Sequence, residues 1–155
     1  MVSPFDPDLL NPCSLDVRLG NKILIESCQA DWVPYDLRLM EHSEASPCYL
    51  RPGQFILAQT VETFDLPDNI AARFLLKSSR AREGLNHLLA GWCDPGWHGS
   101  VLTLELQNVR QLRTVAIWPG MKIGQIIFEY VEAPERSYAV TGRYNNDATV
   151  QESKG

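Results

Sequence analysis

Proline and glycine interrupt this chain at short intervals, which restricts it to folds assembled from short elements. The interruptions are Pro4, Pro7, Pro12, Gly20, Pro34, Pro47, Pro52, Gly53 and Pro67, then Gly84, Gly91, Pro95, Gly96, Gly99, Pro119, Gly120 and Gly124. Proline removes a backbone donor and glycine favours turn conformations, so neither suits a long helix. The stretches between them are β-rich: residues 22–26, 54–61, 72–76, 100–106, 115–118 and 123–130. Many short strands separated by turn residues predict a mostly β sandwich, jelly roll or barrel. One helical turn is expected at residues 78–83, where Ser78 or Ser79 can cap the start and Gly84 can stop it.

A chain of 155 residues without repeats or a linker fits one domain. Residues 1–144 are read as that domain; residues 145–155, polar and aperiodic, are read as a flexible C-terminal tail or lid. The net charge of -5 argues against general nucleic-acid binding, which needs a surplus of lysine and arginine. A small anionic ligand is still allowed, because one local basic pocket can hold it inside an acidic protein. No apolar run reaches the roughly eighteen residues that a membrane span needs. The opening MVSPFDPDLLNP has neither a basic nor an apolar leader region. Cys13, Cys28, Cys48 and Cys93 are unevenly spaced with no C-x-x-C pair, which reads as buried free thiols in a reducing compartment. A cytoplasmic location is expected.

One familiar chemistry fails on spacing. His42-Ser43-Glu44 followed by Pro47-Cys48 suggests a zinc deaminase, but Arg51 stands where P-C-x-x-C needs its second cysteine. There is no G-x-S-x-G elbow, P-loop or H-E-x-x-H pair either. With three histidines and no ligand spacing, a tightly held catalytic transition metal is not expected.

Two segments carry more information. Lys77-Ser78-Ser79-Arg80-Ala81-Arg82-Glu83-Gly84-Leu85 places a lysine, two hydroxyls and two arginines directly after an apolar strand. Arg82 can grip an oxyanion with two parallel bonds and Lys77 adds a point charge, although such a segment alone also reads as a solvated basic turn. Ala90-Gly91-Trp92-Cys93-Asp94-Pro95-Gly96-Trp97-His98-Gly99 is a turn leading into Ser100–Asn108, where Leu102, Leu104 and Leu106 alternate with Thr103, Glu105 and Gln107. On that pattern alone Glu105 is a solvent-facing strand residue.

Together these segments resemble the dCTP deaminase family, part of the wider dUTPase-like trimeric β fold. The resemblance rests on Pro4–Pro7, Pro12–Gly20, Leu50–Ala58, Glu62 with Leu66-Pro67, the KSSRAREGL and AGWCDPGWHG segments, Leu104-Glu105-Leu106 and Pro119–Gln125, in that order. It implies a dUTPase-like β-clip or distorted jelly-roll barrel with one short helix, assembled as a homotrimer with active sites at subunit boundaries. It further implies zinc-independent hydrolytic deamination of dCTP to dUTP and ammonia. Glu105 would then be the general base, with Ser78 and the carbonyl of Ala90 holding the attacking water and Arg82 supporting the base. Lys77 and Ser79 would bind the triphosphate, with Mg²⁺ carried on its phosphate oxygens. Asp94 would contact the deoxyribose and Trp97 would pack below it. Tyr138, Arg143 and Asp147 match the family's lid, with arginine at the usual lysine and aspartate at the usual glutamine. A partly buried carboxyl suits a base that takes a proton from water and returns it to the departing amine. Three alternatives stand beside this reading: a bifunctional enzyme continuing to dUMP, a deaminase for a modified cytosine deoxynucleotide, and a non-catalytic nucleotide-sensing trimer.

Overall fold

All the β-rich runs form strands in the computed structural model, which describes residues 1–155. In chain order they are β1 (Val2–Ser3), β2 (Leu10–Asn11), β3 (Ser14–Glu26), β4 (Trp32–Asp36), β5 (Cys48–Leu50), β6 (Phe55–Asp65) and β7 (Ile70–Leu76). They continue with β8 (Leu85–His87), β9 (Trp92–Cys93), β10 (His98–Asn108), β11 (Val115–Ile117) and β12 (Lys122–Tyr130). Hydrogen bonding runs β8-β10-β6-β3-β12-β7-β9, with β1 on β6 and both β2 and β4 on β3; β5 and β11 form a separate pair. Every pairing is antiparallel. The mostly β architecture expected from the turns is the one observed.

The sheet curls because β3 serves two partners. Its first half, Leu15–Arg18, pairs with β12, and its second half, from Leu19 to Ile25, pairs with β6 across a register shift. Gly20 sits at that shift, where an added Cβ would come 3.1 Å from the backbone oxygens of Gln59 and Thr60. The side-chain period of two then places Leu15, Val17, Leu19 and Ile23 inside. Leu102, Leu104 and Leu106 of β10 join the same core, with Phe64, Ile126 and Trp97. A smaller apolar cluster of Leu24, Leu57 and Val150, flanked by Trp32 and Phe55, lies apart from it.

The helical expectation needs two corrections. The helix α1 (Ser78–Arg82) forms, but Lys77 holds the cap position without a side-chain cap bond and Ser78 is the first helical residue. The Lys77 amide still bonds to the Ile123 carbonyl at 3.1 Å, prolonging the β7 ladder, so the chain turns into the helix one residue late. A second helix, α2 (Tyr138–Thr141), was not foreseen; the Ser137 hydroxyl caps it by accepting from the Ala139 amide at 3.0 Å. The thiols also differ from expectation. All four are free, but Cys13 and Cys28 are exposed, Cys48 is half-buried and Cys93 alone is buried. Burial pushes the Cys93 thiol up to about 12, with the nearby Asp94 charge adding to the effect.

Candidate active site

The turn between β9 and β10 shapes the site. Gly96 and Gly99 adopt left-handed backbone (φ +87° and +65°), which lets Trp97 swing inward while Asp94 stays at the rim. Trp97 is buried, stacks on Phe64 with ring centres 5.5 Å apart, and donates its indole N–H to the Tyr144 carbonyl at 2.7 Å. Asp94 accepts from the Trp92 indole N–H at 2.9 Å. Beyond the turn β10 alternates as read, with Leu104 and Leu106 inside and Glu105 on the opposite face, its side chain one-quarter exposed. That face lines a cavity of about 520 Å³ rather than open solvent.

Six of the expected site residues line this one cavity: Ala90, Asp94, Trp97, Glu105, Tyr138 and Asp147. Lys77, Ser78, Ser79, Arg82 and Arg143 do not. Ser78, Ser79 and Arg82 stand exposed on α1. Lys77 is committed within the chain, donating to Asp16 Oδ1 at 2.7 Å, while Lys122 approaches the other Asp16 oxygen at 3.7 Å. Burial alone would raise the Asp16 carboxyl; hydrogen bonds from Lys77 and Asn11, and the charges of Lys77 and Lys122, hold it below its ordinary value. His42, the false zinc ligand, bonds to the Tyr35 hydroxyl at 3.0 Å and to the Ser46 carbonyl at 3.2 Å.

The cavity is electrostatically one-sided. Four carboxylates line it (Asp94, Glu105, Asp147 and Glu152), and no lysine or arginine does. Aromatic and apolar side chains, Trp32, Phe55, Leu57 and Trp92 among them, supply much of the remaining wall. A planar ring has surfaces to pack on, but a polyanion needs cations from elsewhere.

Sequence reading missed two residues here. His87 on β8 is buried, packs on Phe74 with ring centres 4.7 Å apart, and brings Nε2 within 3.2 Å of Glu105 Oε2. The approach lacks hydrogen-bond alignment, and neither atom has another partner. Nothing local marked His87, because the contact depends on β8 pairing with the far end of β10. Lys154, inside the aperiodic tail, was also missed. Its ammonium donates to both oxygens of Asp147, at 2.7 and 2.8 Å.

Residues 145–155 lie along the same chain. Asn146 and His98 share a backbone bond of 2.9 Å, Val101 N–H donates to the Asp147 carbonyl at 3.0 Å, and the Ser100 hydroxyl donates to Tyr144 O at 2.7 Å. No helix is long and apolar enough to cross a membrane.

The model of dCTP deaminase-like domains matches residues 1–131. A protein of Clavibacter michiganensis named "dCTP deaminase, dUMP-forming" is 40% identical over 151 residues, covering 92% of this chain and 74% of that protein. One of the same name from Methanoregula boonei is 43% identical over 143 residues, covering 88% and 77%. Among solved structures, the 2'-deoxycytidine 5'-triphosphate deaminase of Agrobacterium tumefaciens superimposes with TM-score 0.66 at 21% identity; the match covers 83% of this chain and 42% of that one. The dUTPase of Staphylococcus phage 80α superimposes with TM-score 0.57 at 13% identity, covering 88% and 93%. These two likenesses speak for the fold, and the family match and the relatives at 40% identity or above speak for descent: the chain belongs to the dCTP deaminase family.

Proposed function

We propose that this protein hydrolytically deaminates dCTP, with Glu105 as the general base. The observation that carries the reading is the Glu105 carboxyl, partly buried and without a hydrogen-bond partner at Oε2, facing a cavity of nucleoside size. Water adds to C4 of the cytosine while Glu105 takes its proton. The same carboxyl passes that proton to N3, then takes the proton of the new C4 hydroxyl and hands it to the amino group; the C4–N bond breaks and ammonia departs, so that dCTP and water become dUTP and ammonia. His87, its Nε2 3.2 Å from Glu105 Oε2, packs beside the carboxyl and limits how it can turn from C4. The Ala90 carbonyl and the Ser78 hydroxyl hold the water, Arg82 supports the base, Asp94 takes the sugar hydroxyl and Trp97 packs below the ring.

A lining of four carboxylates without a cation supports placing the triphosphate against a second copy of the chain. Exposed Ser79 of that copy, with Lys77 beside it, would meet the phosphates, while its Ser78 and Arg82 reach the base, which is the reading of a homotrimer with shared sites. Tyr138, Arg143 and Asp147 would close over the nucleotide. Mg²⁺ enters as part of the substrate on phosphate oxygens, since no three His, Cys, Asp or Glu side chains of this chain gather into a ligand set. A cytoplasmic location fits a consumer of free nucleotides.

Of the two end points, dUTP or dUMP, the second is favoured by the names of the Clavibacter michiganensis and Methanoregula boonei relatives, each dUMP-forming. Asp94 at the rim is the residue available to activate a second water for cleavage to dUMP and pyrophosphate. The test is ammonia and nucleotide analysis after incubation with Mg²⁺ and dCTP. Ammonia release is expected from the wild type and a loss of about a thousandfold from Glu105→Gln, with binding retained. Pyrophosphate appearing with ammonia supports the dUMP end point. Binding without product across cytosine and modified cytosine nucleotides would sink the deaminase reading in favour of a sensor.

A further inference from the structure

The charge imbalance of the cavity has a partial answer in the chain's own end. Lys154 grips both Asp147 oxygens and also donates to the Arg143 carbonyl at 2.8 Å. Its amide donates to the Tyr144 hydroxyl at 3.0 Å, and its ammonium lies 5.0 Å from the centre of the Tyr144 ring. Tyr144 and Asp147 both line the cavity, so Lys154 is the cation bonded directly to its wall. The span between the paired residues is docked as well. Val150 is buried against Leu24 and Leu57, with Trp32 and Phe55 beside them. The Gln59 side-chain oxygen accepts from the Val150 amide at 2.9 Å and the Thr149 hydroxyl at 3.0 Å, and the Gln151 amide donates to Thr103 Oγ1 at 3.2 Å. Residues 151–153 thereby become one wall of the cavity.

We infer that Lys154 is a positioning residue for nucleotide binding, neutralising Asp147 and clasping residues 147–154 into a wall that an anionic substrate can approach. The inference rests on the reading that a nucleotide occupies this cavity. The Asp147 side chain is only 13% exposed, so losing its partner would leave a poorly solvated negative charge in the cavity wall. A two-pronged, charge-assisted pair of this kind is stronger than an ordinary surface ion pair.

The experiment compares full-length wild type with Lys154→Ala, Lys154→Arg, Asp147→Asn and the Lys154→Ala/Asp147→Asn double variant. Lys154→Ala is expected to raise the KM for Mg·dCTP about tenfold with kcat changed less than about twofold, and Lys154→Arg to keep KM near the wild-type value. The double variant is expected to match the KM of Asp147→Asn within about twofold, because removing the carboxylate removes the need for its counter-charge. An unchanged or lowered KM in Lys154→Ala overturns the inference. So does a double variant whose KM stands several-fold above that of Asp147→Asn, which would make Lys154 a direct phosphate ligand. Hydrogen exchange without nucleotide provides a separate arm. The amides of Asp147, Val150 and Gln151 should be protected in the wild type and exchange faster in Lys154→Ala. If the wild type turns over no dCTP, the functional reading fails while this arm still decides the clasp; equal exchange in both proteins contradicts it.

Discussion

Glu105 is a residue whose surroundings, more than its identity, make it chemically interesting. Alternation along β10 made it an outward strand residue, and outward it is, but outward here means into a cavity. That distinction was illegible in the two-residue period, which reports the face and not what covers it. The ordered motifs of the family resemblance pointed to the residue; the partner, His87, came only from the fold. Two buried polar atoms 3.2 Å apart with no other partners form a costly arrangement that a bound substrate can relieve. His87→Gln is therefore expected to lower kcat roughly tenfold to a hundredfold while KM moves less than about threefold. Steady-state kinetics on dCTP, with the melting temperature as a control for packing against Phe74, checks this. A proportional change in KM instead would place His87 in substrate binding.

At the level of elements, most long strands were legible and most short ones were not, although β3, the longest, was foretold only over its last five residues and the three-residue β11 was foretold in full. β6, β7, β10 and β12 were each foretold within a few residues, because each carries enough alternating apolar positions to show a period. β4 contains Pro34, which demotes a strand on sequence grounds, yet β4 pairs only with β3 and so sits on an edge where the missing donor is tolerated. β8 and β9 have three and two residues, too few for any period, and they carry His87, Trp92 and Cys93 to the site. Close packing between elements is equally invisible locally. Gly124 of β12 looks like an ordinary turn glycine, but a Cβ there would run into the Phe74 ring of neighbouring β7. Gly124→Ala is expected to destabilise the fold by about 1–3 kcal/mol, measured by urea unfolding, because the ring must move within a packed core. A change below about 0.5 kcal/mol would show that Phe74 has room to turn.

Across the whole molecule, charge is segregated: carboxylates gather in the cavity, while Lys77, Arg80, Arg82 and Lys122 lie on or near α1 and outside it. Asp16 ties part of that basic region to the sheet. Its carboxyl is depressed when folded, so the stabilisation it contributes is present above the unfolded value near 3.8 and is lost as the pH falls through the lower folded value. The stability gap between wild type and Asp16→Asn should accordingly be open at pH 6 and narrow steadily below pH about 4, as followed by urea midpoints. A gap that widens in acid would contradict the assignment. Segregation within one chain also makes the site account a claim about two chains, with the base on one and the cations of α1 on the other. Mixing two inactive proteins tests that claim most directly. Glu105→Gln and Arg82→Ala, each lacking ammonia release alone, are unfolded together, refolded and assayed with dCTP. If sites form between copies, random assembly rebuilds about one intact site in four and returns about a quarter of wild-type activity. Refolded, mixed assemblies with no recovered activity would mean that each chain carries its whole site, and the shared-site account would be wrong.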